Sequence, residues 1–164
     1  MRKKVTMDEL VQGIYSLGVN QYNHLIQYFK ERNIIVENNQ LFFQCQLIIS
    51  RIAVMVFKNK NYKNVGNLTD EIIELLFDSI SPDTSTKDKE IIHEYILMAK
   101  DEINDIVGKG DTKILDLVSY FLGEILSELS LDYIQDHELE VFLVNLFDNW
   151  QNICFELVSK FKVA

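Results

Sequence analysis

The chain reads as an all-α fold, a single compact bundle of six or seven helices spanning residues 1–164. Three observations predict it. Apolar residues recur at helical spacing through most of the 164 residues. One proline and six glycines leave little punctuation for many short strands. Hydrophobic residues make up 48% and charged residues 25%, ordinary usage for a chain that buries a real core.

The first helix starts at Thr6-Met7-Asp8-Glu9, a capping box in which Thr6 accepts from the first turn and Glu9 reaches back. Leu10, Val11, Ile14 and Tyr15 form its apolar stripe, and Gly18 is read as its stop. Asn20 then caps a second helix carrying Tyr22, Leu25, Ile26 and Phe29, ending near Asn33. Ile34-Ile35-Val36 reads as a short extended connector. A third helix, central to the bundle and near residues 40–58, is apolar on nearly all sides: thirteen of the seventeen residues from Leu41 to Phe57 are hydrophobic. Gln44, Gln46 and Arg51 make it a poor membrane span, because a bilayer asks for about 20 apolar residues.

Thr69 is read as the cap of the fourth helix, with Ile72, Ile73, Leu76 and Ile80 inward; Ser81-Pro82-Asp83 ends it. The fifth runs from Thr86 to Val107, with Ile91, Ile92, Tyr95, Ile96, Ala99, Ile103 and Ile106 inward, and breaks at Gly108-Lys109-Gly110. Asp111 caps the sixth, in which Gly123 suggests close packing against a neighbour. The last helix carries Leu139, Phe142, Leu146, Trp150, Ile153, Leu157 and Phe161. Tyr22, Tyr28 and Phe43 suit a core or an interface equally, and the oligomeric state stays open.

Charge is divided along the chain. Residues 1–65 hold nine Lys/Arg and four Asp/Glu, and residues 66–164 hold seven and twenty-one, so +5 and −14 sum to the net −9. Such an acidic surface repels phosphate, which disfavours nucleic acid. The basic positions Arg2, Lys3, Lys4, Lys58, Lys60 and Lys63 are few, and whether residues 2–4 and 58–63 form one patch is a matter for the fold. No apolar signal-peptide core follows Met1, and Cys45 and Cys154 sit far apart in apolar patterns as buried thiols. A cytoplasmic location, in its own cell or a host's, is the expectation.

Three acidic constellations are candidates for chemistry. Glu90 and His93 share a helical face at i and i+3, but no second such pair exists to complete a di-metal bundle. Asp132, Asp136, Glu138 and Glu140 suit the first turn of a helix, where anions meet the positive end of its dipole. The loop lacks the alternating ligands of an EF-hand.

Glu71-Ile72-Ile73-Glu74 and Glu102-Ile103-Asn104-Asp105 resemble the paired acidic helices of the all-α nucleoside-triphosphate pyrophosphohydrolases. That resemblance, over about 35 residues by motif reading, implies Mg²⁺ held by Glu71, Glu74, Glu102 and Asp105 as the one cofactor. The helical wheel points elsewhere. In an antiparallel hairpin Glu74 lies roughly 9 Å before Ile80, and Glu102 roughly 24 Å beyond Thr86, so the pairs miss each other.

The leading expectation is therefore a non-enzymatic acidic module without a cofactor. It would bind another protein with a basic surface, as an inhibitor, immunity, anti-defence or adaptor protein does, using Asp101, Glu102, Asp105, Asp136 and Glu140. The Mg²⁺-dependent hydrolase is the alternative. A helical groove binder of Bcl-2-like architecture is the third.

Overall fold

The reciprocal Thr6–Glu9 cap forms as predicted. The Glu9 amide donates to Thr6 Oγ1 at 3.1 Å, and the Thr6 amide donates to the Glu9 carboxylate at 2.7 Å. In a computed structural model of the chain, which describes residues 1–37, 39–59, 65–108, 114–129 and 137–163, this cap opens helix α1, Met7–Glu31. The other helices are α2, Gln40–Asn59; α3, Leu68–Asp78; α4, Thr86–Val107; α5, Ile114–Glu128; and α6, His137–Lys160. Among the described residues the chain is an all-α bundle of these six helices.

One long α1 replaces the two helices expected there. Gly18 does not stop it and Asn20 caps nothing; both lie inside the helix. Gly18 is instead a packing residue. A Cβ built on it would stand 2.1 Å from Gln46 Oε1 on α2, so hydrogen alone lets the two helices meet. Gly13, five residues earlier, has nothing within 4 Å of such a Cβ. Each glycine weakens the helix by about 1 kcal/mol relative to alanine, and only Gly18 has packing to account for it. The helix ends where the sequence places it: Asn33 takes φ 57°, the left-handed conformation asparagine tolerates.

α2 is the core helix. Ten consecutive residues but one, from Leu41 to Ser50, are buried, Phe42 being half-buried. It packs against α1, α3, α4, α5 and α6. Among the described residues it is the one helix long and apolar enough to cross a membrane, and 78% of that stretch, Gln40–Lys58, is covered by the bundle. Its polar residues have internal tasks. Gln46 donates to the Tyr15 carbonyl at 3.0 Å, Ser50 donates to the Leu47 carbonyl at 2.7 Å and meets the Thr69 hydroxyl at 3.2 Å, and Gln44 donates to two tyrosine hydroxyls. Arg51 is half-buried, and that burial lowers its proton affinity.

Several expected details shift. Thr69 is not the cap of α3; Asn67 holds that position without a side-chain bond, and Thr69 is buried against Ser50. Ser85 caps α4, accepting from the Asp88 amide at 3.2 Å. Ile91 points outward rather than into the core. Gly123 faces open space, so close packing does not explain it. Asp111 lies outside the described residues. Cys45 and Cys154 are free, buried thiols as read, each pushed up in pKa by burial.

The C-terminal end departs from the all-helical reading. α6 stops at Lys160, and Phe161 opens a strand instead of closing the helix. Strand β2, Phe161–Val163, pairs in parallel with β1, Lys3–Val5, in the register Lys3 to Phe161, Lys4 to Lys162 and Val5 to Val163. Parallel pairing of remote segments leaves no local sequence signal.

Candidate functional site

The acidic residues singled out in the sequence divide among three places. Glu71 and Glu74 are exposed on α3. Asp101 and Asp105 are exposed on α4, while Glu102, on the same helix, is half-buried against α5. Glu140 is half-buried at the start of α6, 3.9 Å from His137. Asp132 and Asp136 lie outside the described residues.

Two contacts set the register of α3 against α4. Lys100 pairs with Asp70 at 2.8 Å, and the rings of Phe77 and His93 lie 4.0 Å apart. Both pairs sum to 170 in residue number, so the level of Glu74 falls near Ile96. Glu102 stands six residues farther along, about 9 Å. Glu71, Glu74, Glu102 and Asp105 therefore do not surround a common point. Among the described residues no group of three or more His, Cys, Asp and Glu side chains is arranged to hold a metal ion. The residues do not fit the Mg²⁺ site that the pyrophosphohydrolase resemblance implies. His93, offered with Glu90 as a ligand pair, packs on Phe77.

What α4 does assemble is a polar chain leading out of the core. Gln44, 1% exposed, inserts its amide between two hydroxyls, donating to Tyr95 at 3.1 Å and to Tyr120 at 2.9 Å. The Tyr120 hydroxyl donates in turn to Glu102 at 2.8 Å. Burial raises the pKa of both tyrosines, so both hydroxyls stay protonated; Tyr120 donates onward, while Tyr95 accepts from Gln44. Tyr120, Glu124 and Glu128 follow one another at four-residue spacing along α5, so they share one face.

Glu124 is the group under electrostatic load. Partial burial raises its pKa first, and the negative charges of Glu102 and Glu128 add to the effect. No cation among the described residues forms an ion pair with Asp101, Glu102, Asp105 or Glu124. The folded protein holds the Glu124 proton more tightly than the unfolded chain does. Stability therefore falls as pH rises from the ordinary carboxylate range through the raised folded value, and stays lower above it. Glu124→Gln is expected to raise the melting temperature at neutral pH. The gap to wild type should close as pH drops below the ordinary glutamate pKa of about 4.3. Melting curves across that range check it; a wild type more stable than the variant at pH 7 contradicts it.

Beside this cluster, α4 presents an exposed stripe. Glu90, Ile91, Glu94, Leu97, Met98, Asp101 and Asp105 recur at three- and four-residue steps and all face solvent. Ile91 is 55% exposed, Leu97 46% and Met98 52%, so the stripe alternates acids with large apolar groups. From Glu90 to Asp105 it runs about 22 Å along the helix.

Sequence reasoning located Glu102, Asp101 and Asp105 but missed Tyr95, Tyr120, Glu124 and Glu128. The four-residue spacing of the α5 trio was legible in the sequence. Its meeting with Glu102 depends on how α4 and α5 pack across α2. The basic residues sort differently: Lys3 and Lys4 share the ribbon with Lys162, Lys58 is exposed near the end of α2, and Lys60 and Lys63 lie outside the described residues. Comparison of the chain with family models, with curated proteins and with solved structures gives no match, and no relative lends it a function.

Proposed function

We propose that the chain is a non-enzymatic binding module that docks on a basic protein surface through α4 and the adjoining face of α5. One observation carries this reading: among the described residues no cation forms an ion pair with Asp101 and Asp105 on the exposed face of α4 or with Glu102 and Glu124 between α4 and α5, and three exposed apolar side chains lie on the same helix. Uncompensated like charges cost stability in the free protein. A partner's Lys and Arg side chains would relieve that cost, while Ile91, Leu97 and Met98 bury apolar area at the centre of the contact. Complementary charge mainly speeds encounter and selects partners. An inhibitor, immunity, anti-defence or adaptor role fits such a surface.

The experiment uses matched baits. Wild-type chain, the Asp101→Lys, Asp105→Lys double variant and a Glu71→Lys control are each used for affinity capture from the native source, followed by kinetics on the captured partner. A partner held at fixed stoichiometry by wild type and control should associate about tenfold more slowly with the double variant. That difference should shrink as salt screens the charges. A complex indifferent to salt and to both reversals rules the reading out.

A further inference from the structure

A second feature lies away from α4. A hollow of about 710 Å³ opens at the β1–β2 ribbon, lined by Met1, Arg2, Lys3, Lys4 and Lys162. Four of these five side chains are cations. The chain's net charge is −9 with those four positive charges counted, so the remainder carries −13. The hollow is therefore a local reversal of the molecule's charge.

The pairing of the ribbon forces two of these charges together. Side chains alternate along a strand. Val5 and Phe161 border an apolar groove with Leu10 of α1 and Leu157 of α6, so their face of the ribbon is turned to the bundle. Lys4 and Lys162, their neighbours in sequence, stand on the opposite face and are direct partners in the register. Adjacent strands lie about 4.8 Å apart, and like charges placed opposite each other repel. Two strands of three residues each have little pairing energy to oppose that repulsion.

No acid answers these lysines. Lys3, Lys4 and Lys162 are exposed and form no ion pair among the described residues. On the adjoining helices, Glu9 is held by the Thr6 amide at 2.7 Å, Glu156 pairs with Lys160 at 3.8 Å, and Asp8 is exposed without an ion pair.

An anion between Lys4 and Lys162 would turn their repulsion into attraction. Ammonium groups suit phosphate oxygens as compact point charges, and the guanidinium of Arg2 matches phosphate geometry. Nucleic acid or an anionic bilayer would extend past the hollow and meet the −13 of the remaining chain. A short phosphate chain ends inside it. None of the lining residues is aromatic, so no wall stacks a base.

We propose that the hollow binds inorganic oligophosphate, bridged between Lys4 of β1 and Lys162 of β2. Calorimetric titration with tripolyphosphate at low ionic strength tests this. Wild type should show one saturable site, with orthophosphate about tenfold weaker or more and ATP no tighter. The double variant Lys4→Gln, Lys162→Gln should weaken tripolyphosphate about tenfold or more. The control Lys30→Gln, Lys87→Gln removes the same net charge from exposed lysines near the end of α1 and at the start of α4, and should bind within about twofold of wild type. Melting curves add a second readout. Without ligand the Lys4, Lys162 variant should melt at or above wild type, because a repulsion is gone. Saturating tripolyphosphate should raise the wild-type melting temperature and leave that of the variant unchanged. Absence of saturable tripolyphosphate binding, a folded Lys4, Lys162 variant that binds as wild type does, or a control pair that weakens binding equally would each overturn the proposal. So would ATP bound about tenfold more tightly, or binding to phosphatidylserine vesicles without binding to tripolyphosphate. Lys4 and Lys162 lie off the α4 stripe, so their variant leaves partner capture unchanged and the two proposals fail independently.

Discussion

Trp150→Ala is expected to remove about 4 kcal/mol of stability, a large part of the 5–15 kcal/mol typical of a domain. Trp150 is the chain's one tryptophan and is fully buried on α6. Its ring stacks on Phe147 at 4.4 Å, and Phe147 in turn lies 5.7 Å from Phe121 of α5. Truncation opens a cavity where α6 meets the rest of the bundle. It also strands a polar group: the indole N–H donates at 2.8 Å to Gln21 Oε1, and Gln21 is only 6% exposed. Without the indole, that buried oxygen loses its donor, a further loss of about 1–3 kcal/mol when no water reaches it. Trp150→Phe should lie between, since it keeps most of the volume and still drops the hydrogen bond. Urea unfolding followed by far-ultraviolet circular dichroism measures both. A Trp150→Ala midpoint within error of wild type would mean that α6 does not dock as described.

Gly18→Ala should destabilise the protein by about 2 kcal/mol, although alanine is the better helix former by about 1 kcal/mol. The added methyl falls 2.1 Å from Gln46 Oε1 and 2.4 Å from its Cδ. Gln46 is fully buried, and its amide is tied to the Tyr15 carbonyl at 3.0 Å, so it yields only by breaking that bond or by pushing α1 off α2. Gly13→Ala, in the same helix, meets nothing and should gain up to about 1 kcal/mol. Opposite signs from one substitution at two sites five residues apart separate tertiary crowding from helix propensity. The double variant Gly18→Ala, Gln46→Ala completes the test: with the obstructing amide gone, the alanine should cost less than it does alone. Equal effects of Gly18→Ala in the two backgrounds would place the cause elsewhere.

Much of the secondary structure was legible because its signals are local. The Thr6–Glu9 box, the span Thr86–Val107 and the end of α1 at Asn33 each depend on residues within one turn. The apolar stretch from Leu41 to Phe57 announced a core helix because no face of it suits water. Misreadings arose where one residue type serves two ends. Glycine ends helices and also lets them touch, and Gly18 does the second; threonine caps helices and also bonds internally, and Thr69 does the second.

Composition and periodicity alone thus decided an all-α chain with an apolar central helix and a net charge of −9, since helix formation and burial answer to neighbours within a few residues. Packing decided the rest. It bonded Tyr120 to Glu102, set the charges of Glu102 and Glu128 near Glu124, kept Glu71 and Glu74 away from Glu102 and Asp105, and laid Lys3 beside Phe161. Such meetings between residues far apart in the chain follow from helix register and crossing, which no local pattern encodes.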